Sequence, residues 1–282
     1  MSAPYIYMKT NRNFKDSVFS ALFNDPDLLR ELYCALEGVS LPPDTPVSIN
    51  TLENVLYMDL YNDISFEIGG KLIVLVEHQS TINPNMALRL LHYISNVYEA
   101  IIESKTLYSN KPVSIPWPEF YVLYNGVEPY PDNKILRLSD LFKNPQELGL
   151  PEKSLPLLEL EVKVLNINEG RNEEIVKRCK KLAEYSAFVA KYREYYKGMK
   201  NREEALKAAI TYCSKYGILK EFLEVHGREV LSMILTEWNI DDAIAFAREE
   251  SREEGREEER KYFLDLLNQG LSIEEIKQRI AS

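Results

Sequence analysis

A chain of 282 residues, 45% hydrophobic and 28% charged, is long enough for one good-sized core with an appended region. Its 34 Lys and Arg against 44 Asp and Glu leave a net charge of −10, which argues against a protein that coats nucleic acid by general basic attraction. No run of about 18 apolar residues occurs, and the first residues lack a signal peptide's apolar segment, so a cytoplasmic protein without a membrane span is expected.

Between Asn13 and Leu36 apolar residues follow helical spacing, with an interruption near Asp25-Pro26. This predicts two helices, the second capped by Asn24 or Asp25 with Pro26 at its first position. Leu41-Pro42-Pro43-Asp44-Thr45-Pro46 reads as a rigid loop. Strands are predicted at about 55–60, 64–68 and 72–78.

The last two strands form a hairpin with Asp63 at one end and Glu77-His78-Gln79 at the other. Gly69-Gly70 reach positive φ without steric cost, and Leu72 to Val76 is an apolar run of strand length. The register decides which side chains meet. A two-residue loop would leave Asp63 and Glu77 on opposite faces, whereas a three-residue loop, Gly69-Gly70-Lys71, pairs Ile68 with Leu72 and Asp63 with Glu77. Gln79 then shares that face and His78 points away. A hard cation such as Mg²⁺ or Mn²⁺ takes one or two carboxylates, keeps several waters, and activates one against a phosphodiester. Two carboxylates flanking a hairpin are also what an ordinary solvated edge shows, and spacing alone leaves both readings open.

Met86 to Glu103 reads as a helix with Leu90, Tyr93, Ile94, Val97 and Ile101 on its apolar face. Arg89 and Tyr93, four apart, are neighbours on its surface; they either contact substrate or brace the sheet. Further strands are predicted at 120–123, ending in the turn Asn125-Gly126, and at 157–165, where alternation leaves Glu159 and Glu161 solvated. Helices are predicted at 173–197, 202–215, 219–225, 230–237 and from 241 onward. Tyr185, Phe188, Tyr192, Tyr195 and Tyr196 form an aromatic stripe, read as core. The four-residue repeat Arg248, Arg252, Arg256, Arg260 predicts an exposed ion-paired helix, able to stand in solvent or engage another copy of the chain. Ser272 and Glu275 form a capping box for a last helix.

Cys34, Cys179 and Cys213 are odd in number and far apart, which predicts small buried hydrophobes, not a disulfide framework or zinc site. His92 and His226 are assigned packing or surface roles. No Walker loop, dinucleotide fingerprint or Ser-His-Asp arrangement is present.

Four blocks occur in order: Val76-Glu77-His78-Gln79-Ser80-Thr81, Met86-Ala-Leu-Arg89-Leu-Leu-His-Tyr93, Tyr121-Val-Leu-Tyr124-Asn125-Gly126 and Leu136-Arg-Leu-Ser139-Asp140. Together they resemble the recombination-promoting nuclease (Rpn) or putative transposase family of the PD-(D/E)XK nuclease superfamily. The resemblance runs from about Asn11 to Asp140 and less distinctly onward. It implies an α/β fold, a restriction-endonuclease-like mixed sheet flanked by helices. Residues 1–167 would form the nuclease-like domain, 168–240 a helical region and 241–282 a charged helical tail. It implies a metal-dependent DNA endonuclease linked to recombination or mobile elements, with Asp63 and Glu77 as metal ligands, the His78 carbonyl as a further one, and Gln79 where the superfamily has Lys. Arg89 and Tyr93 become weaker candidates for substrate binding. A member that binds DNA or protein without cutting is the alternative, and self-association through the C-terminal helix a third reading.

Overall fold

The computed structural model describes residues 18–49, 64–102, 104–148 and 156–231. Asp63, the strand predicted at 55–60, the charged tail and the Ser272 capping box lie outside the described residues.

Two helices open the fold, α1 (Val18–Leu22) and α2 (Pro26–Glu37). The Asp25 carboxylate accepts from the Asp27 and Leu28 amides at 2.8 and 3.0 Å, so Asp25 is the cap and Pro26 the first helical residue. Among the described residues six strands make one mixed sheet: β1 (Val47–Ile49), β2 (Ile64–Ile68), β3 (Leu72–Gln79), β4 (Trp117–Tyr124), β5 (Asn133–Arg137) and β6 (Glu161–Asn166). Their order is β1-β2-β3-β4-β6-β5; β3, β4 and β6 are parallel, and the other pairings are antiparallel. The expected α/β fold, a mixed sheet with flanking helices followed by C-terminal helices, is the one observed.

The hairpin takes the three-residue loop. Ile68 pairs with Leu72 and Ile64 with Val76, while Gly69 and Gly70 have φ of 61° and 67°. On one face Ile73, Leu75, Phe120, Val122, Val162 and Val164 pack against α3 (Met86–Ile101). That helix presents Leu90, Ile94 and Val97, each contributing about 1.5–3 kcal/mol when fully buried. The opposite face carries His78, stacked on Phe19 at 5.1 Å between ring centroids and edge-on to Tyr185 at 5.2 Å.

After β6 the described residues are helical: α4 (Glu173–Arg178), α5 (Lys180–Met199), α6 (Arg202–Tyr216) and α7, described over 220–231. The single helix predicted at 173–197 is therefore two. Cys179 between them is extended, and the next amide, Lys180, donates to the Glu31 carboxylate at 2.9 Å instead of closing a helical turn. Conversely, no break separates 219–225 from 230; α7 runs through Gly227. β1 and β5 went unpredicted, being short and largely exposed. The strand predicted from 157 begins at Glu161, and Leu157 is fully exposed.

The aromatic stripe divides. Tyr185, Phe188 and Tyr192 are core, whereas Tyr195 is half-buried and Tyr196 exposed. Cys179 and Cys213 are buried as expected, and burial pushes their thiols up to about 12 and about 11; Cys34 is only half-buried, because it faces partly outward on α2. No helix among the described residues is long and apolar enough to cross a membrane.

Candidate active site

β3 is an interior strand, hydrogen-bonded to β2 on one side and β4 on the other, so its carboxyl end is rigidly placed. Alternation sends Ile73, Leu75, Glu77 and Gln79 toward α3 and His78 to the opposite face. Parallel pairing sets Glu77 beside Val122 and Gln79 beside Tyr124. Glu77 is only 3% exposed.

The N-terminal half of α3 supplies the partners. Arg89 Nη2 donates to Tyr93 Oη at 2.7 Å and lies 3.5 Å from Glu77 Oε2, the outer limit of a hydrogen bond. Its guanidinium carbon stands 5.7 Å from the Tyr93 ring centroid and Nη1 lies 3.6 Å from Met86 Sδ. Tyr93 is buried and Arg89 partly exposed, so Tyr93 orients the guanidinium from behind. Gln79 Nε2 donates to Met86 Sδ at 2.7 Å, which turns the amide oxygen away from that sulfur. Gln79, Met86, Val122, Tyr124, Tyr130 and Val164 line a small recess beside it.

Glu77, Gln79, Arg89 and Tyr93 thus come together on one face. Asp63 lies outside the described residues. Lys71, the last residue of the hairpin loop, sits at the other end of β3, about 20 Å from Glu77 at 3.3 Å per residue. His92 is exposed on α3, and His226 Nδ1 pairs with Glu229 Oε2 at 2.7 Å on α7. Glu159 and Glu161 are exposed, Glu159 bonding Ser139 and Glu161 bonding Arg137.

A carboxylate and an amide oxygen are hard donors of the kind Mg²⁺ takes. Among the described residues no group of three or more His, Cys, Asp or Glu gathers to hold a metal ion. A cation at Glu77 would therefore draw other ligands from water, from phosphate, from backbone carbonyls and from donors beyond the described residues. His78 carries no such role through its ring: burial, and then the neighbouring Arg193 charge, depress its pKa to about 3, so the imidazole is neutral.

A second polar cluster, unread in the sequence, follows the same strand ends. Arg193 on α5 donates from Nη1 to Asn125 Oδ1 at 3.1 Å and Asn168 Oδ1 at 2.7 Å, and from Nη2 to the Asn125 carbonyl. Asn168 Nδ2 donates to the Gly126 carbonyl at 3.1 Å. Gly126 admits no side chain, since a Cβ there would meet the Ser80 carbonyl oxygen at 2.1 Å. The dipeptide Asn125-Gly126, read as a turn, is a packed junction. Its residue types were visible, but the partners lie 68 and 25 residues from Arg193 in one case and the other.

No curated protein matches the chain, and no solved structure does. The family model described as putative transposase, YhgA-like, matches residues 26–205, a span that takes in β1 through α5 and with them both polar clusters. The chain belongs to that transposase family.

Proposed function

We propose that the chain is a metal-dependent DNA endonuclease acting in recombination or on mobile elements. The observation that carries this reading is Glu77 and Gln79 facing α3 from the carboxyl end of an interior strand, in the odd hairpin register. That register, Ile64 with Val76 and Ile68 with Leu72, is the one for which the sequence predicts a pairing of Asp63 with Glu77. Strand carboxyl ends are where open α/β sheets present their ligands.

In this reading Asp63 and Glu77 hold Mg²⁺ or Mn²⁺, with the His78 carbonyl as a further ligand. When bound, the ion supplies Lewis-acid activation of water and of the phosphoryl oxygens. Gln79, its nitrogen committed to Met86, offers its amide oxygen to orient the attacking water. It brings no charge to the transition state, so the load falls on Arg89, the cation already at this face. Tyr93 fixes the Arg89 fork.

A plasmid-nicking assay with Mg²⁺, Mn²⁺ or chelator, run beside Glu77→Ala and Asp63→Ala, tests the reading. Nicking that needs the metal and disappears in both variants is expected; nicking that survives in chelator would overturn it. Gln79→Ala should lower cleavage while leaving metal affinity nearly intact, and an equal loss of metal binding in Gln79→Ala and Glu77→Ala would show the roles to be misassigned. Gln79→Lys adds a charge that assists the transition state or repels the ion, and retained or reduced cutting of the same substrate is expected.

A further inference from the structure

The Arg193 cluster has a charge with no counter-charge among the described residues. Its guanidinium is half-buried on α5, and its bonds go to two amide oxygens and one carbonyl, all neutral. The other groups acting on it are the hydroxyls of Tyr185, Tyr124 and Tyr192, and the neutral ring of His78 lies nearby. Desolvation pulls the Arg193 pKa down from its ordinary value, the mark of a cation that has lost water without gaining a carboxylate. A half-buried cation of this kind gains from an anion that reaches it.

Asn125 supplies an independent observation. It is only 2% exposed, and because a guanidinium can only donate, Oδ1 must be the atom facing Arg193. That fixes Nδ2 as a donor, and among the described residues it has no hydrogen-bond partner. Arg193 itself uses three of its five N–H groups on the bonds named. Donors and positive charge therefore concentrate beyond the carboxyl ends of β4 and β6, and the backbone N–H of Asn125 ties the cluster to the candidate active site by donating to the Gln79 carbonyl at 2.8 Å.

We propose that Arg193 and Asn125, steadied by Asn168, form a phosphate cradle that takes a backbone phosphate of DNA near the scissile one. The assignment to DNA rests on the nuclease reading; the anion chemistry stands on the cluster itself. The cradle spends its specificity on the phosphate oxygens and reads no base, so it fits a binding mode that fixes the register of the strand without choosing a sequence.

The test is binding of a short fluorescein-labelled DNA duplex to the full chain in chelator, where no cutting intervenes, followed by anisotropy across a salt series. Arg193→Gln should weaken binding by about 10- to 100-fold and lower the salt slope by about one phosphate contact. Arg193→Lys, which keeps the charge and loses the fork, should bind weakly with the salt slope retained. In parallel, inorganic phosphate should raise the melting temperature of the wild-type chain above that in chloride of equal ionic strength, and do so less in Arg193→Lys. This arm decides the matter if Arg193→Gln does not fold, and it also separates free phosphate from polymer. A folded Arg193→Gln with unchanged affinity and salt slope would reduce Arg193 to a clamp between two loops, as would a wild-type chain that phosphate does not stabilise. Phosphate binding in a chain that never nicks DNA would leave the cradle standing and remove the nuclease, whereas metal-dependent nicking with unchanged binding in Arg193→Gln would do the reverse.

Discussion

Two carboxylates on opposite faces of the same sheet meet cations in different ways. Glu77 is 4% exposed at its side chain, and Arg89 stands 3.5 Å away while also serving Tyr93 and Met86. Glu37, at the end of α2, is 24% exposed, with Lys163 Nζ at 2.5 Å and the Tyr121 hydroxyl at 2.6 Å. The shallow pair is short and closed on itself; the deep one is long and its cation is divided. Burying a carboxylate is a poor route to stability compared with an apolar residue of the same shape. Retaining one at the end of an interior strand therefore points to chemistry, whereas Glu37 joins α2 to β6 at the surface.

Neutralising each carboxylate in turn is the sharpest way to break that contrast. Glu77→Gln should lower metal-dependent nicking by on the order of 100-fold or more, because it removes a metal ligand and its charge. Its melting temperature should change little, since Arg89 is partly exposed and can rehydrate. Glu37→Gln should leave nicking unchanged. Equal effects of the two substitutions on nicking would erase the distinction.

Stability on the active-site side should depend more on backbone fit than on charge. Gly126→Ala drives a methyl group into the Ser80 carbonyl and the Tyr124 ring, neither of which is the loose end of a flexible chain. A loss of about 3 kcal/mol in denaturant unfolding is expected, the upper range for overpacking. A loss below about 0.5 kcal/mol, the range of neutral surface changes, would mean that the junction is softer than its contacts indicate.

The neighbour of Glu77 carries the contrast across the strand. His78 is peptide-bonded to Glu77 yet faces Phe19 and Tyr185, and the charge acting on it, Arg193, repels a second positive one. Its folded pKa of about 3 lies below the ordinary 6.5, so the unfolded chain binds the proton first. Stability is then complete above about pH 6.5 and falls as pH drops toward 3, by about 2 kcal/mol at pH 5. Unfolding in chelator across that window checks it. His78→Phe should flatten this part of the profile, and an unchanged slope would place the titration elsewhere.

Legibility in the sequence followed the range of the interactions. The hairpin register was readable because Gly69-Gly70 and the alternation around them are local, and Asp25-Pro26 announced its own helix start. The break at Cys179 was not, since the carboxylate that receives the Lys180 amide belongs to Glu31, 149 residues earlier. β1 and β5 hold their places by pairing with β2 and β6, with little hydrophobic pattern of their own. At the site, Glu77, Gln79 and Arg89 were visible in one short stretch, whereas Arg193 sat inside an aromatic stripe and showed its purpose only once β4 and β6 brought Asn125 and Asn168 to it.

The smallest effect belongs to the shallow pair. Burial raises the Glu37 pKa, but the hydrogen bonds from Lys163 and Tyr121 outweigh it and hold the carboxyl below its ordinary 4.5. A depressed carboxylate contributes stability that is present above the unfolded pKa and lost as pH falls through the folded one, so this contribution should disappear only below about pH 4.5. Lys163 is nearly half-exposed, which screens the pair and limits its worth to about 0.2–1 kcal/mol. Lys163→Met should remove that much in denaturant unfolding at pH 7 and progressively less as pH falls below 4.5, and added salt should shrink the difference between wild type and variant. Tyr121 is fully buried and its hydroxyl stands 2.6 Å from both Glu37 and Glu119, so its single proton satisfies one carboxylate at a time. Tyr121→Phe should therefore weaken the Glu37 contribution without abolishing it. A Lys163→Met loss that does not diminish as pH falls below 4.5 would show that the lysine stem packing on the Tyr121 ring, 5.3 Å from its ammonium, carries the interaction in place of the charge.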